Sequence, residues 1–195
     1  MDILKNKSNF LKTSAIVLTF AVLFQFLIFG ISKPTNHYSR PVDAIAFSLS
    51  TSEGKYLIKD AYDLESFRKS VNSGEYTSNK TFVLTAPISV SSSFVSIGTA
   101  QYPFRGTFDS AGIYCKITNL KKPLFGYTNG ATIQNIEIES GTISYSSNYV
   151  GSVVGNAVNT NVYRCYNGAS VTNTQTSGNA YVGGIVGYIN GGSVR

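Results

Sequence analysis

The sequence predicts an all-β protein whose strands stack as a solenoid. The chain of 195 residues contains 18 Gly, 13 Tyr and 12 Phe but no Trp, a composition typical of short aromatic strands separated by turns. In its second half, a glycine-containing segment recurs at a fixed spacing, as expected for stacked repeats. Charged residues make up only 13% of the chain, which argues against a disordered chain or a coiled coil.

Residues 1–32 are predicted to be a signal peptide or a membrane anchor. Three lysines precede an uncharged apolar run over residues 14–31. At a rise of about 1.5 Å per residue, this run would form roughly 27 Å of helix, long for a signal peptide and just enough to span a bilayer. If the run is uncleaved, it holds the protein in the membrane. If it is cleaved, the protein is secreted, and in both cases the rest of the chain lies outside the cell.

Residues 33–46 contain two prolines and no hydrophobic periodicity, and we predict that they form a linker. They include His37, the only histidine of the chain. A single His without neighbouring Cys or acidic residues argues against a zinc site and against His-dependent hydrolysis. The 16 Lys and Arg residues are scattered rather than arranged in a stripe, so we expect no nucleic-acid partner.

Residues 47–125 are predicted to form an N-terminal helix and the first solenoid turns. Leu64, Phe67 and Val71 have helical spacing, acidic residues precede them, and Gly74 can end the helix. Short apolar segments separated by Gly, Pro, Ser and Asn then predict strands. These segments are residues 81–85, 88–90, 94–97, 104–108 and 114–117.

An internal repeat is recognised in residues 126–195, which hold 12 of the 18 glycines. The segment 149–155 returns as 181–187, an offset of 32 residues, and a weaker copy begins at Gly126. Each copy is too short to bury its own apolar face, so successive copies must stack with Val, Ile, Leu and Cys inward. By this alignment the sequence is cut off in the middle of a repeat, and we expect a fragment of a longer protein.

Five segments of the chain resemble the GLUG repeats of bacterial surface proteins, which are found N-terminal to IgA-specific metallopeptidases and in adhesin-like proteins. The segments are residues 124–127, 135–138, 150–155, 165–168 and 182–187. The resemblance covers roughly residues 56–195 and departs from the pattern at Ser110–Ala111, Pro123 and Ser152. It implies a right-handed parallel β-helix on the cell exterior, built from repeats that are not themselves catalytic.

No catalytic, cofactor-binding or metal-binding residue is predicted. Glu137 and Glu139 would share one face of a strand, with Asp109 upstream, and such carboxylates can bind calcium or serve a polysaccharide lyase or glycosidase. However, inward positions for Ile136 and Ile138 would direct both glutamates to solvent. We therefore expect an ordinary charged surface at this place.

Exposed tyrosines allow two interpretations: an aromatic ladder that binds a sugar or a protein, or aromatic residues that simply suit the surface of strands. The candidates are Tyr145, Tyr149, Tyr163, Tyr166, Tyr181 and Tyr188.

The two cysteines, Cys115 and Cys165, allow two interpretations. A disulfide would close a loop of about 50 residues, with a stabilisation of about 4 kcal/mol. Free thiols would pack in the core as small apolar side chains, and we favour this second arrangement.

We predict an exported cell-surface β-helix module for adhesion, interaction or scaffolding, without catalytic activity of its own and without a cofactor. Its expected partner is an extracellular protein or polysaccharide. Two alternatives remain: a spacer for a missing peptidase-like catalytic domain, and a carbohydrate-active β-helix enzyme.

Overall fold

A computed structural model describes residues 48–49, 54–75, 77–112 and 115–195 of the chain. The predicted signal or anchor segment, residues 1–32, and the predicted linker, residues 33–46, lie outside the described residues. No helix within the described residues has the length and apolar character needed to cross a membrane.

The described residues form one α-helix and many short strands, wound into a β-solenoid of about 5 turns. The helix is α1 (Ala61–Asn72). The strands are β1 (Ser48–Leu49), β2 (Lys55–Ile58), β3 (Thr81–Leu84), β4 (Ile88–Ser89), β5 (Thr107–Ser110), β6 (Lys116–Thr118), β7 (Phe125–Asn129), β8 (Thr132–Gln134), β9 (Glu137–Ile138), β10 (Thr142–Tyr145), β11 (Tyr149–Val150), β12 (Val154–Tyr163), β13 (Tyr166–Asn167), β14 (Ser170–Asn173), β15 (Tyr181–Val182) and β16 (Val186–Val194).

Parallel pairing between successive turns builds the solenoid. The longest sheet contains β2, β3, β5, β8, β12 and β16 in that order, and β1 pairs with β2 in the antiparallel direction. A second parallel sheet stacks β4, β6, β9 and β13, and the pairs β10–β14 and β11–β15 connect the later turns. One column of paired residues in the longest sheet runs through Tyr56, Phe82, Phe108, Ile133, Val162 and Val194.

The repeat predicted from the sequence coincides with the register of the last turn. All pairs of β15 and β16 with β11 and β12 are 32 residues apart, and they include Tyr149 with Tyr181, Val154 with Val186 and Val162 with Val194. The weaker copy is confirmed too, because Ile133 pairs with Val162 at an offset of 29 residues. The repeated glycines therefore mark equivalent positions in stacked turns.

Helix α1 follows the predicted limits closely. The Asp60 side chain accepts a hydrogen bond from the Asp63 backbone N–H at 2.8 Å, and the Asp63 carboxylate accepts one from the Lys59 N–H at 3.1 Å. The first bond satisfies a donor that the first turn of a helix leaves free, and the second ties the residue before the N-cap to that turn. At the other end Gly74 takes φ +97°, a left-handed conformation that suits glycine after a helix.

Aromatic packing joins α1 to the solenoid core. The ring centroid of Phe67 lies 4.4 Å from that of Phe82, 5.6 Å from that of Phe104 and 5.7 Å from that of Phe108. The Phe104 ring in turn contacts Phe125 at 5.1 Å. Four of these five rings are fully buried and the fifth, Phe82, is 3% exposed, so the first turns share one continuous apolar core.

Left-handed residues form the corners of the solenoid. Gly130, Asn159 and Gly191 follow paired residues of β7, β12 and β16, and their φ angles are +68°, +45° and +74°. Asn and Gly are the residues that most readily adopt this conformation. The same corner therefore recurs in three successive turns although the sequence around it differs.

Ser152, which departs from the GLUG pattern, has a structural role in this fold. It is fully buried, and its hydroxyl donates a hydrogen bond of 2.6 Å to the Gly184 carbonyl, 32 residues further along the chain. A buried hydroxyl with a partner costs little, because its lost hydration is replaced. This serine therefore links one turn to the next.

We expect that Phe108→Ala lowers the free energy of unfolding by about 3–5 kcal/mol, because it empties a fully buried ring position between Phe67 and Phe125. Urea denaturation followed by circular dichroism measures this change. Val95→Ala is the control, because Val95 is 44% exposed and should change the same quantity by less than about 0.5 kcal/mol. Equal effects of the two substitutions would contradict the assignment of the core.

Candidate binding surface

Four tyrosines form a connected cluster, which we call the tyrosine cluster. Tyr149 and Tyr181 are paired residues of β11 and β15, and their rings stack with centroids 5.7 Å apart and planes 22° apart. Tyr188 contacts Tyr149 at 5.2 Å and Tyr181 at 5.1 Å, and Tyr127 meets Tyr149 edge to face at 6.4 Å. All four rings are partly exposed, so the cluster presents an aromatic surface to solvent.

The solenoid register explains how this cluster forms. Equivalent residues of successive turns lie about 4.8 Å apart, the spacing at which aromatic rings can stack. Each repeated glycine is followed by a residue of one column: Tyr127 on β7, Asn156 on β12 and Tyr188 on β16. Asn156 pairs with both tyrosines. The residues that follow the repeated glycines therefore form one column of the surface. In the middle turn this residue is Asn156, which is polar, and in the two flanking turns it is tyrosine.

A groove lies beside the tyrosine cluster and shares residues with it. Its walls come from three segments of the chain: residues 95–99, 122–127 and 145–149. Tyr127 and Tyr149 belong both to the groove and to the cluster. Lys122 is the one charged residue among those that line the groove, and its Nζ lies 5.4 Å from the centre of the Tyr145 ring, within cation–π range.

One wall of the groove is a segment that the sequence predicted as a strand, residues 94–97. The structure shows a loop there with a single β-bridge, from Ile97 to Phe125. The Asn72 amide at the end of α1 donates to the Ser96 carbonyl at 3.1 Å and accepts from the Gly98 N–H at 2.7 Å. Together with the backbone bonds of the Ile97 bridge, these two bonds fix the wall of the groove.

Gly98 must be glycine for this wall to approach the cluster. Its φ is +81°, and a Cβ atom at this position would overlap the Tyr127 carbonyl oxygen. Any other residue would be strained and would also displace the neighbouring strand.

Two buried polar atoms at this surface lack hydrogen-bond partners. Of the buried side-chain oxygen and nitrogen atoms in the described residues, only Ser96 Oγ and Asn156 Oδ1 are unpaired. Ser96 lines the groove, and Asn156 pairs with Tyr127 and Tyr188 in the column described above. Such atoms are uncommon in folded proteins, and here both lie at the same surface.

Burial raises the pKa of Tyr127 above its usual value of 10.0, and the neighbouring Tyr149 and Tyr145 raise this pKa further. The phenol of Tyr127 therefore stays neutral at every physiological pH. Its hydroxyl can act as both a hydrogen-bond donor and an acceptor.

The predicted tyrosine ladder is partly wrong. The structure brings Tyr149, Tyr181 and Tyr188 together, and Tyr145 lines the groove together with Tyr149. Tyr163 and Tyr166 line other depressions, together with Arg164. Arg164 lies between them with φ +53°, and this corner turns the chain from one sheet into the next. Sequence reasoning missed Tyr127, although its position after a repeated glycine was a usable signal.

The two glutamates considered for catalysis form ion pairs with a lysine of the neighbouring turn. Ile136 and Ile138 are buried, so Glu137 and Glu139 point outward as predicted. Lys116 Nζ lies 3.3 Å from Glu137 Oε1 and 2.7 Å from Glu139 Oε1. The pKa of Lys116 is raised, first by its hydrogen bond to Glu139 and then by that to Glu137. The sequence did not predict a lysine beside these two glutamates, because Lys116 lies one solenoid turn earlier in the chain.

Asp109 does not join these glutamates in a common site. Its carboxylate accepts hydrogen bonds from Gln134 Nε2 at 2.6 Å, Asn135 Nδ2 at 2.7 Å and the Ser110 N–H at 2.7 Å. It therefore holds the corner at Asn135, which has φ +57°. No group of three His, Cys, Asp or Glu residues suited to a metal ion occurs within the described ranges.

Both cysteines are free thiols in the structure. Cys115, Ile136 and Cys165 each directly precede a strand of the second sheet, β6, β9 or β13, and these strands are in register. Ile136 therefore separates the two thiols, and two turns place their Cα atoms about 9.6 Å apart. A disulfide requires a Cα separation below about 7 Å, so the register excludes the bridge.

We expect the stability of the protein to fall between pH 9 and pH 11 because of Cys165. Burial raises the pKa of this thiol to about 11, because the thiolate would lose its hydration in the fold. The contribution of the neutral thiol to the free energy of unfolding is therefore complete below pH 9 and is lost as the pH rises through 11. Urea denaturation at several pH values should show this fall in the wild type and a smaller fall in Cys165→Ala.

The reactivity of the same thiol provides an independent check. A thiol reagent at pH 8 should modify Cys165 slowly in the folded protein, whereas two thiols per chain should react under denaturing, non-reducing conditions. Recovery of fewer than two thiols in freshly purified, monomeric protein would contradict the register of the second sheet.

Comparison of the chain with protein-family models, with curated proteins and with solved structures finds no match. The resemblance to GLUG repeats therefore stays a prediction from the sequence.

Proposed function

We propose that the protein is an exported cell-surface module for adhesion or interaction, built as a right-handed parallel β-helix of GLUG-like repeats. In this proposal residues 14–31 direct export, and they anchor the protein in the membrane if they are not cleaved. The described solenoid then presents the tyrosine cluster and the groove to an extracellular partner.

The observation that most supports binding is the coincidence of three features at one surface. These features are four contacting tyrosine rings, an adjoining groove, and two buried oxygen atoms without partners. Tyrosine is enriched at binding interfaces because its ring is large and rigid and its hydroxyl forms hydrogen bonds. A solenoid with a purely structural function needs none of these features.

We further propose that the described part of the chain is not catalytic. Glu137 and Glu139 share the positive charge of Lys116, and the hydrogen bonds to Asp109 hold a corner. General acid catalysis by a carboxyl group requires an environment that raises its pKa, such as burial or a neighbouring carboxylate without a compensating cation. These three carboxylates are instead taken up by ion pairs with Lys116 or by hydrogen bonds within the fold.

The double substitution Tyr149→Ala and Tyr181→Ala should weaken binding of the protein to the surface polymers of its host at least tenfold. Removing two adjacent aromatic contacts is expected to cost more than about 1.4 kcal/mol of binding free energy, which corresponds to this factor. Co-sedimentation of the purified protein with washed cell envelopes, at increasing envelope concentration, measures the effect.

Tyr166→Ala is the matched control, because Tyr166 is 60% exposed and lies away from the cluster. This variant should bind like the wild type. Equal binding by all three proteins would favour the spacer function, in which no single surface residue matters. Sugar release that depends on Glu137 would favour the enzyme alternative.

The export part of the proposal has its own test. We expect the protein recovered from host membranes to have the full mass, or the protein recovered from the medium to begin near residue 33 or 47. Intact-mass spectrometry of the two fractions distinguishes these forms. Recovery of the full-length protein only from the cytosol would contradict export.

A further inference from the structure

The tyrosine cluster and the groove also contain information about the chemical class of the partner. This inference rests on the proposed function, because it concerns the same surface. The relevant observations are the charge of the surface, the two unpaired polar atoms and the shape of the aromatic contact area.

The charge of the groove does not favour a protein partner rich in Lys and Arg. Its described lining residues include no carboxylate, and Lys122 is their single charged group. The remaining polar groups are neutral: the hydroxyls of Ser96, Thr99 and Ser147, and the phenols of three tyrosines. A surface of neutral hydroxyls and aromatic rings is complementary to a ligand that offers many hydroxyl groups and few charges.

The position of Asn156 points to a ligand with hydrogen-bond donors. This residue lies in the column between Tyr127 and Tyr188, where the flanking turns present aromatic rings. Its Oδ1 is buried and accepts no hydrogen bond. An unpaired buried acceptor destabilises a fold, and an apolar side chain of similar size would avoid this cost. A ligand hydroxyl that reaches Asn156 after a small movement of the tyrosine rings would supply the missing donor.

Ser96, which lines the groove, is the second residue of this surface with an unpaired buried oxygen atom. Its Oγ is buried and unpaired, while its backbone carbonyl is held by the Asn72 amide. The backbone of Ser96 is therefore held on the groove wall, while its hydroxyl forms no hydrogen bond within the fold. Tyr127 and Tyr149 lie between this groove wall and the rest of the cluster.

The stacked rings extend over successive turns of the solenoid. Tyr149 and Tyr181 repeat at the spacing of the turns, and Tyr188 contacts both. A contact area made of several adjacent rings suits a chain molecule with flat, weakly polar faces that recur along its length. Sugar rings have such faces, formed by their C–H groups, and hydroxyls at their edges.

We propose that the tyrosine cluster and the groove bind a polysaccharide, with sugar rings in contact with the exposed parts of the Tyr149 and Tyr181 rings and sugar hydroxyls bonded to Asn156 and Ser96.

The test divides the envelope material of the host into three samples: untreated, oxidised with periodate, and digested with a broad-specificity protease. Periodate cleaves the vicinal diols of sugars, whereas the protease removes proteins. We expect periodate to reduce co-sedimentation of the wild-type protein at least tenfold and the protease to leave it unchanged. Binding that is lost with protease and kept after periodate would overturn the polysaccharide and favour a protein partner. Failure to bind the untreated sample would instead refute the proposed function itself.

A substitution at Asn156 tests the role of the unpaired oxygen. Asn156→Leu should weaken binding to untreated envelopes about fivefold to tenfold without lowering the midpoint of thermal unfolding, since no hydrogen bond of Oδ1 is lost. Asn161→Leu in the same strand is the control, because Asn161 is exposed and accepts a hydrogen bond from Ser193, and binding should be unchanged. Ser96→Ala offers a second variant with the same expectation as Asn156→Leu. Unchanged binding in both Asn156→Leu and Ser96→Ala would overturn the assignment of these two contacts.

Discussion

Backbone hydrogen bonding between successive turns is the interaction on which the other features of this protein depend. Because side chains alternate between the two faces of a strand, a shift of one residue would exchange inward and outward positions. The pairing of Ile117 with Ile138 keeps both residues in the core and places Lys116 beside Glu137 on the outside. The same register brings Tyr149 and Tyr181 into contact, so the core and the proposed binding surface have a common origin.

The binding surface also depends on a part of the chain that does not repeat. Helix α1 ends at Asn72, whose amide holds the loop at residues 96–98 against the later turns. The tyrosine cluster alone would be an aromatic patch without a second wall. The loop adds a second wall and creates a groove, and Gly98 allows this wall to approach the backbone of Tyr127 closely.

The features that could be predicted from the sequence are those with a periodic or local signal. The 32-residue offset predicted the pairing of β12 with β16, and the spacing of Leu64 and Phe67 predicted α1. Contacts between unrelated segments had no such signal, and neither the bonds of Asn72 nor the pairing of Lys116 with the glutamates was predicted. The predicted ladder included Tyr163 and Tyr166 because spacing along the chain does not show where a corner turns it.

The separation of the two cysteines determines which chains can form a disulfide: correctly or incorrectly wound ones. Cys115 and Cys165 are kept apart by Ile136 only while three turns of the second sheet stay in order. A chain that omitted the middle turn would pair β6 with β13 and bring the thiols within bonding distance, and an oxidising environment would then lock the error covalently. In the correctly wound chain the intervening isoleucine thus keeps the two thiols too far apart to bond to each other.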